Sequence, residues 1–139
     1  MSPDLTTSRG EGQRILLVDD EADILDLLGM FLTGNGYAVE TFTSSSRALE
    51  RLESSPGGFD IVLTDLTMPD LTGLELAQRI QQLRQDLPVV LITGHRKVLE
   101  NCGSLPPAIC EVLIKPFDLT FMAKCIAQHL PPKASQSEH

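Results

Sequence analysis

Residues 15–25 read ILLVDDEADIL: four aliphatic side chains, Ile15 to Val18, stop at the adjacent acids Asp19 and Asp20, with Glu21 directly behind. An uninterrupted aliphatic run of this length predicts a strand buried on both faces, as in a parallel sheet. Charge buried unpaired beside it would cost on the order of several kcal/mol. The two aspartates therefore belong at an exposed strand end or beside something positive. The next segment is helical: Ile24, Leu27, Leu28, Phe31 and Leu32 recur at the i, i+3, i+4, i+7, i+8 spacing of one face, and Gly34, Asn35 and Gly36 end it. Strand, acids and amphipathic helix make one βα unit.

Four more units are legible. A second strand spans about Ala38 to Phe42, and Ser44 to Ser46 offer N-caps for a helix through Ala48, Leu49 and Leu52 before Pro56, Gly57 and Gly58 break the chain. Ile61 to Leu63 form the third strand, and Leu74 to Leu83 a helix closed off before Pro88. The fourth strand, Val89 to Ile92, is aliphatic throughout. Its helix, Arg96 to about Cys102, has little periodicity, and Gly103, Pro106 and Pro107 require it to be short or irregular. Val112 to Ile114 make the fifth strand, and Asp118 caps a last helix that turns Leu119, Met122, Cys125, Ile126 and Leu130 to the sheet. Alternation of this kind predicts an α/β fold, a doubly wound five-stranded parallel sheet between two helical layers.

Composition narrows the function. The 139 residues fit one domain, expected over 14–130, with 1–13 as a flexible leader and 131–139 as a flexible tail. A net charge of -8 argues against nucleic-acid binding, which needs a basic surface, and favours a basic partner or a bound cation. No run approaches the roughly 20 apolar residues that span a bilayer, and the leader lacks an apolar signal segment, so the cytoplasm is the expected location. Cys102, Cys110 and Cys125 have neither paired spacing nor a histidine pair nearby, and are expected as reduced packing residues.

In an open parallel sheet, ligands bind beyond the carboxyl ends of the strands. The residues there are Asp19 and Asp20, Asp65, Thr93, and Lys115 with Pro116. Each alone has a plain explanation: a helix cap, a turn residue, a surface lysine. Together they would bring three acids, a hydroxyl and an amine to one edge. Clustered carboxylates need a cation and the lysine to stay ionised. Oxygen donors without sulfur or imidazole favour Mg2+. A metal, a hydroxyl and an ammonium around one carboxylate suit a phosphoryl group transferred to that carboxylate.

The segments ILLVDDE, DIVLTDLTMPDLTG, VVLITG and VLIKPFD resemble, in order, the four signature segments of the response-regulator receiver domain of two-component signalling, over about Arg14 to Leu130. The resemblance implies the flavodoxin-like strand order 2-1-3-4-5 and a three-layer (βα)5 sandwich. It implies Asp65 as phosphoacceptor, fed by a phosphohistidine of a sensor histidine kinase or histidine phosphotransfer protein. It further implies Mg2+ held by Asp19, Asp20, Asp65 and the main-chain carbonyl of Thr67, Thr93 as the switch hydroxyl, Lys115 as partner of the phosphoaspartate, and a cis bond to Pro116. The face of the fourth helix, strand five and fifth helix is the family's usual output surface, and one on which a homodimer could form.

Two departures accompany the match. Val112 stands where most members carry Tyr or Phe, and SLPPAIC, residues 104–110, replaces an alanine- and glycine-rich approach to strand five, so an altered output face is expected. His95 and Thr67, each two residues beyond a site residue, are candidates for tuning the phosphorylated lifetime, whereas His129 has no catalytic context. Two other functions compete with a phosphorylated receiver, whether stand-alone or cut from a larger regulator or hybrid kinase. One is a degenerate receiver acting by protein interaction alone. The other is a Mg2+-dependent aspartyl-nucleophile phosphohydrolase, which would need a DxD pair after strand one and a cap. The expected role is a signalling switch, not an enzyme acting on a free substrate.

Overall fold

The computed structural model describes residues 10–101 and 103–130. Strands β1 (Arg14–Val18), β2 (Ala38–Phe42), β3 (Ile61–Asp65), β4 (Val89–Thr93) and β5 (Ile109–Ile114) alternate with helices α1 (Ala22–Gly34), α2 (Ser45–Ser54), α3 (Gly73–Leu83), α4 (Arg96–Glu100) and α5 (Leu119–His129). The strands pair in parallel in the order β2-β1-β3-β4-β5.

Strand pleating divides the core. Ile15 and Leu17 of β1 join Leu25, Leu28 and Leu32 of α1 and Met122 and Ile126 of α5 on one face. Leu16 and Val18 join Ala48, Leu49 and Leu52 of α2 and Leu76, Ala77 and Ile80 of α3 on the other. Because successive side chains point to opposite faces, an aliphatic run is what a sheet covered on both sides requires. Ser44 caps α2 by accepting from Arg47 N, Thr72 and Glu75 form a capping box on α3, and Asp118 caps α5 by accepting from Thr120 N.

Several boundaries differ from the sequence reading. The buried stripe of α1 is Leu25, Leu28 and Leu32, with Ile24 and Phe31 flanking it, while Leu27 is 58% exposed. A rotation of 100° per residue separates Leu27 from Leu28, enough to turn it away from the sheet. The fifth strand begins at Ile109, ahead of Val112. Val89 pairs with Ile109 and Val90 with Glu111, so Cys110 is the extra residue of a bulge. Helix α4 ends at Glu100, buries no residue and lacks a side-chain cap at His95. Residues 10–13, expected as part of a flexible leader, are tied to the turn after α1: Gly10 N donates to Asn35 O at 2.6 Å, Gly12 N to Gly36 O at 2.8 Å, and Ala38 N to Gln13 O at 2.9 Å. Gly36 makes this turn at φ +96°, where a side chain would strike the Gly10 carbonyl. The rest of the leader, the tail and Cys102 lie outside the described residues. Of the other cysteines, Cys125 is buried and Cys110 half-buried, both as free thiols. Burial pushes the Cys110 thiol up to about 11, which keeps it unreactive.

Candidate functional site

The winding direction reverses between β1 and β3, and their carboxyl ends form the crevice that this topology reserves for ligands. Asp65 and Thr93 lie inside the sheet ladder and not after it: each is the last residue of its strand, in register with Ile92 and Ile114 respectively. Pairing fixes their backbones. Gly73, the first residue of α3, packs so closely that a Cβ there would stand 2.5 Å from Asp65 O and 2.7 Å from Leu91 Cδ1.

Lys115 follows β5 and is anchored by its N–H to Thr93 O at 2.8 Å. Its Nζ lies 3.4 Å from Asp19 Oδ2 and 3.3 Å from Asp65 Oδ2. Both distances exceed the roughly 2.7–2.9 Å of a tight ion pair, so the ammonium straddles the two acids instead of committing to one. Burial works against the Lys115 charge, but the carboxylates of Asp19 and then Asp65 outweigh it and push its pKa up. For Asp19, burial is the dominant influence and raises the carboxyl, against the Glu21 N–H and the Lys115 charge. The Lys115–Pro116 bond is cis.

Asp20 and Glu21 are exposed at the mouth. Glu21 starts α1 through its main chain, accepting from Ile24 N and Leu25 N, while its side chain makes no cap bond. Its carboxylate lies over the crevice instead: oxygens of Asp19, Asp20 and Glu21 come within 4.8 Å of one another. Asp65, the other acid expected at this edge, lines the same crevice and is joined to Asp19 through Lys115. Asp20, Glu21, Asp65, Thr67, Gly94, His95 and Lys115 line a cavity of about 400 Å³. Its donors are carboxylate oxygens with one imidazole and no sulfur, which suits a hard divalent cation.

Smaller contacts set orientation. Asp65 Oδ1 accepts from Thr67 N at 3.2 Å. Thr93 is fully buried, and its hydroxyl accepts from His95 N at 2.9 Å, which closes the loop into α4. Val112 is half-buried on β5 opposite Leu91, so the family's ring is missing at that point of the sheet. His129 stays outside the crevice, 3.3 Å from Glu111. A second cavity, about 470 Å³ and walled by Leu27, Leu28, Phe117 and Leu119, shares Lys115 with the first. Periodicity alone hides it, because Leu27 fits the helical repeat of the buried face.

A family model described as the response regulator receiver domain matches residues 15–127. Response regulator receiver protein CpdR of Brucella abortus is 40% identical over 107 residues, 77% of this chain and 88% of CpdR. Transcriptional regulatory protein GlrR of Escherichia coli is 31% identical over 89% of the chain, but the match spans only 28% of GlrR. Among solved structures, response regulator protein TrrA of Thermotoga maritima, in complex with Mg2+ and BeF, has a TM-score of 0.76 at 31% identity, covering 85% of this chain and 99% of that one. A CheY-like receiver domain protein of Methanospirillum hungatei has a TM-score of 0.79 at 27% identity, covering 92% and 99%. Sequence match, strand order and acidic crevice agree, and the chain belongs to the response regulator receiver domain family, the phosphoacceptor module of two-component signalling.

Proposed function

We propose that Asp65 is the phosphoacceptor of this chain and that its phosphoryl group comes from a phosphohistidine on a sensor histidine kinase or histidine phosphotransfer protein. The observation that carries this reading is the position of Lys115, 3.4 Å from Asp19 and 3.3 Å from Asp65. An ammonium between two buried acids offsets their repulsion and stays beside Asp65 once one of its oxygens carries the phosphoryl group as an acyl phosphate. Asp65 is the better nucleophile of the two, because it lines the cavity that a phosphoryl group must enter, whereas the more deeply buried Asp19 does not line it.

The carboxylate oxygen forms the P–O bond as the donor's P–N bond breaks, and Lys115 offsets charge on the phosphoryl oxygens. Thr93 can turn its hydroxyl to the same oxygens by giving up the bond from His95 N, which frees the loop that leads to α4. With Val112 in place of a ring, that loop is the route by which the site reaches the α4 side. Asp19, Asp20 and Asp65, with the main-chain carbonyl of Thr67, would hold Mg2+, and Glu21 lies close enough to contribute. When bound, the ion would spread the negative charge that gathers on the transferred group. The apolar cavity beside Lys115 gives the histidine-bearing partner a shelf next to the reacting carboxylate.

Incubation with Mg2+ and a small acyl phosphate, followed by intact mass measurement, tests the reading. One added phosphoryl group, absent in Asp65→Asn, is the expected result. Absence of an adduct on the wild-type protein would overturn it in favour of a receiver that works by binding alone.

A further inference from the structure

The loop from Leu66 to Thr72 joins Asp65 to α3, and its tip is held by a different helix. Asp70 reaches across to the N-terminus of α2: Ser44 Oγ donates to its Oδ2 at 2.7 Å, Ser46 N to the same oxygen at 2.8 Å, and Ser45 Oγ to its Oδ1 at 2.6 Å. Ser45 N lies 3.4 Å from Oδ1. The Ser45 side chain is fully buried, accepts from Leu71 N at 2.9 Å and lies 2.8 Å from Leu71 O. A hydroxyl has one proton, and the charged acceptor at the shorter distance takes it. Asp70 thus satisfies the first N–H groups of α2 from another segment of chain, while Ser44 caps Arg47 N from within. Burial works against ionisation of Asp70, but the bonds from Ser45, Ser46 and Ser44 prevail and hold its carboxyl well below the usual range.

The far end of the same loop is at the reacting carboxylate, where Thr67 N donates to Asp65 Oδ1 at 3.2 Å. Leu66 N is tied to Ile92 O and Gly73 N to Leu66 O, each at 2.8 Å, so the base of the loop is fixed by the sheet. Its tip is fixed by Asp70. Resting on the assignment of Asp65 as phosphoacceptor, we infer that Asp70 is a positioning residue, whose clamp on Ser44, Ser45 and Ser46 sets where Thr67 lies and thereby how the Asp65 carboxylate is presented. Nothing in the linear sequence around Asp70 announces this, since its partners are 24–26 residues away.

The test compares Asp70→Ala, Ser45→Ala, the double variant and Leu49→Ala, the last removing a buried side chain of α2 that takes no part in the clamp. Hydrogen exchange is followed at the Thr67 amide relative to the amides of the central strands, and labelling by a small acyl phosphate is followed across Mg2+ concentrations. Asp70→Ala should speed Thr67 exchange about tenfold relative to the strands. It should also raise the Mg2+ needed for half-maximal labelling several-fold, roughly what a loosened first contact costs. Ser45→Ala should act in the same direction, and the double variant should be no worse than the worse single. Leu49→Ala should lower the Tm while leaving both readouts at wild-type values. Thr67 exchange unchanged in Asp70→Ala, or equal changes in Leu49→Ala, would overturn the inference. If the wild type takes no phosphoryl group, the phosphoacceptor assignment falls, and the exchange result still decides whether Asp70 positions the loop.

Discussion

The Lys115 ammonium lies 3.3 Å from the Asp65 carboxylate and is shared with Asp19, so one cation serves two buried acids. Replacing it by methionine keeps most of the stem and removes the charge. Two consequences should separate. A divalent cation entering the crevice no longer meets a like charge, and even in bulk water a pair of unit charges about 4 Å apart is worth about 1 kcal/mol, so Mg2+ should bind at least about fivefold more tightly to Lys115→Met. Phosphoryl transfer should become slower, because charge on the transferred group is less well offset. Calorimetric Mg2+ titration and acyl phosphate labelling of the same variant check both, and weaker Mg2+ binding would contradict the assignment of Lys115 as a competing cation.

His95 is exposed at the rim of the same cavity, and its main chain is held by Thr93. Its two parts differ: the N–H is bonded to the Thr93 hydroxyl, whereas the residue itself lines the cavity that Asp65 also lines. His95→Ala keeps the N–H and removes the imidazole. Water should then reach the acyl phosphate more easily, shortening the lifetime of the phosphoprotein by roughly two- to tenfold. Decay followed by intact mass after removal of the donor gives the rate, and an unchanged lifetime would exclude the imidazole from that role.

The parallel sheet and the edge where the site lies were legible because both follow from local patterns. An aliphatic run such as Ile15 to Val18 needs cover on both faces, and parallel winding then sends Asp19, Asp65, Thr93 and Lys115 to one edge. What escaped was settled by rotation and by distant partners. Leu27 satisfies a helical repeat as well as Leu25 does, and only the packing of α1 against the sheet chooses between them. Glu21 is the N-cap of α1, but unlike Ser44, Thr72 and Asp118 it makes no side-chain cap bond, and its carboxylate lies over the crevice. The bulge at Cys110 depends on how β5 registers with β4, which no pattern within either strand encodes.

Leu27, turned out of the core, gives its own prediction. Its side chain is 58% exposed beside Phe117 and Leu119, on a wall that ends at Lys115. A partner presenting a phosphohistidine to Asp65 would cover this shelf, and a carboxylate there would lose apolar contact and add charge to an already acidic rim. Leu27→Asp should therefore slow transfer from a phosphorylated histidine protein by about tenfold or more. Labelling by a small acyl phosphate needs no docking and should stay at the wild-type rate. Equal losses with both donors would show that the substitution damages the site itself.

On the edge strand β2, Glu40 accepts from Arg51 of α2 at 2.9 and 3.0 Å and from Arg14 of β1 at 2.9 Å, and both guanidinium groups lie over the Phe59 ring. Hydrogen bonding from Arg51, opposed by partial burial and reinforced by Arg14, lowers the Glu40 carboxyl below its ordinary value. The sign comes from linkage. A carboxyl whose folded pKa lies below its unfolded value contributes stability above the unfolded pKa, near 4.3, and loses it as pH falls through the folded one. Glu40→Gln should thus be less stable than the wild type at pH 7, and the difference should shrink as the pH falls from about 5 to about 3. Because the pair is about one-third exposed, the difference should also shrink in about 1 M salt, where screening acts within roughly 3 Å. Other titrating acids are common to both proteins and cancel in the comparison. Urea denaturation of the two proteins across this range measures the gap, and a gap that is constant with pH would assign the loss to packing against Phe59 and not to the ion pairs.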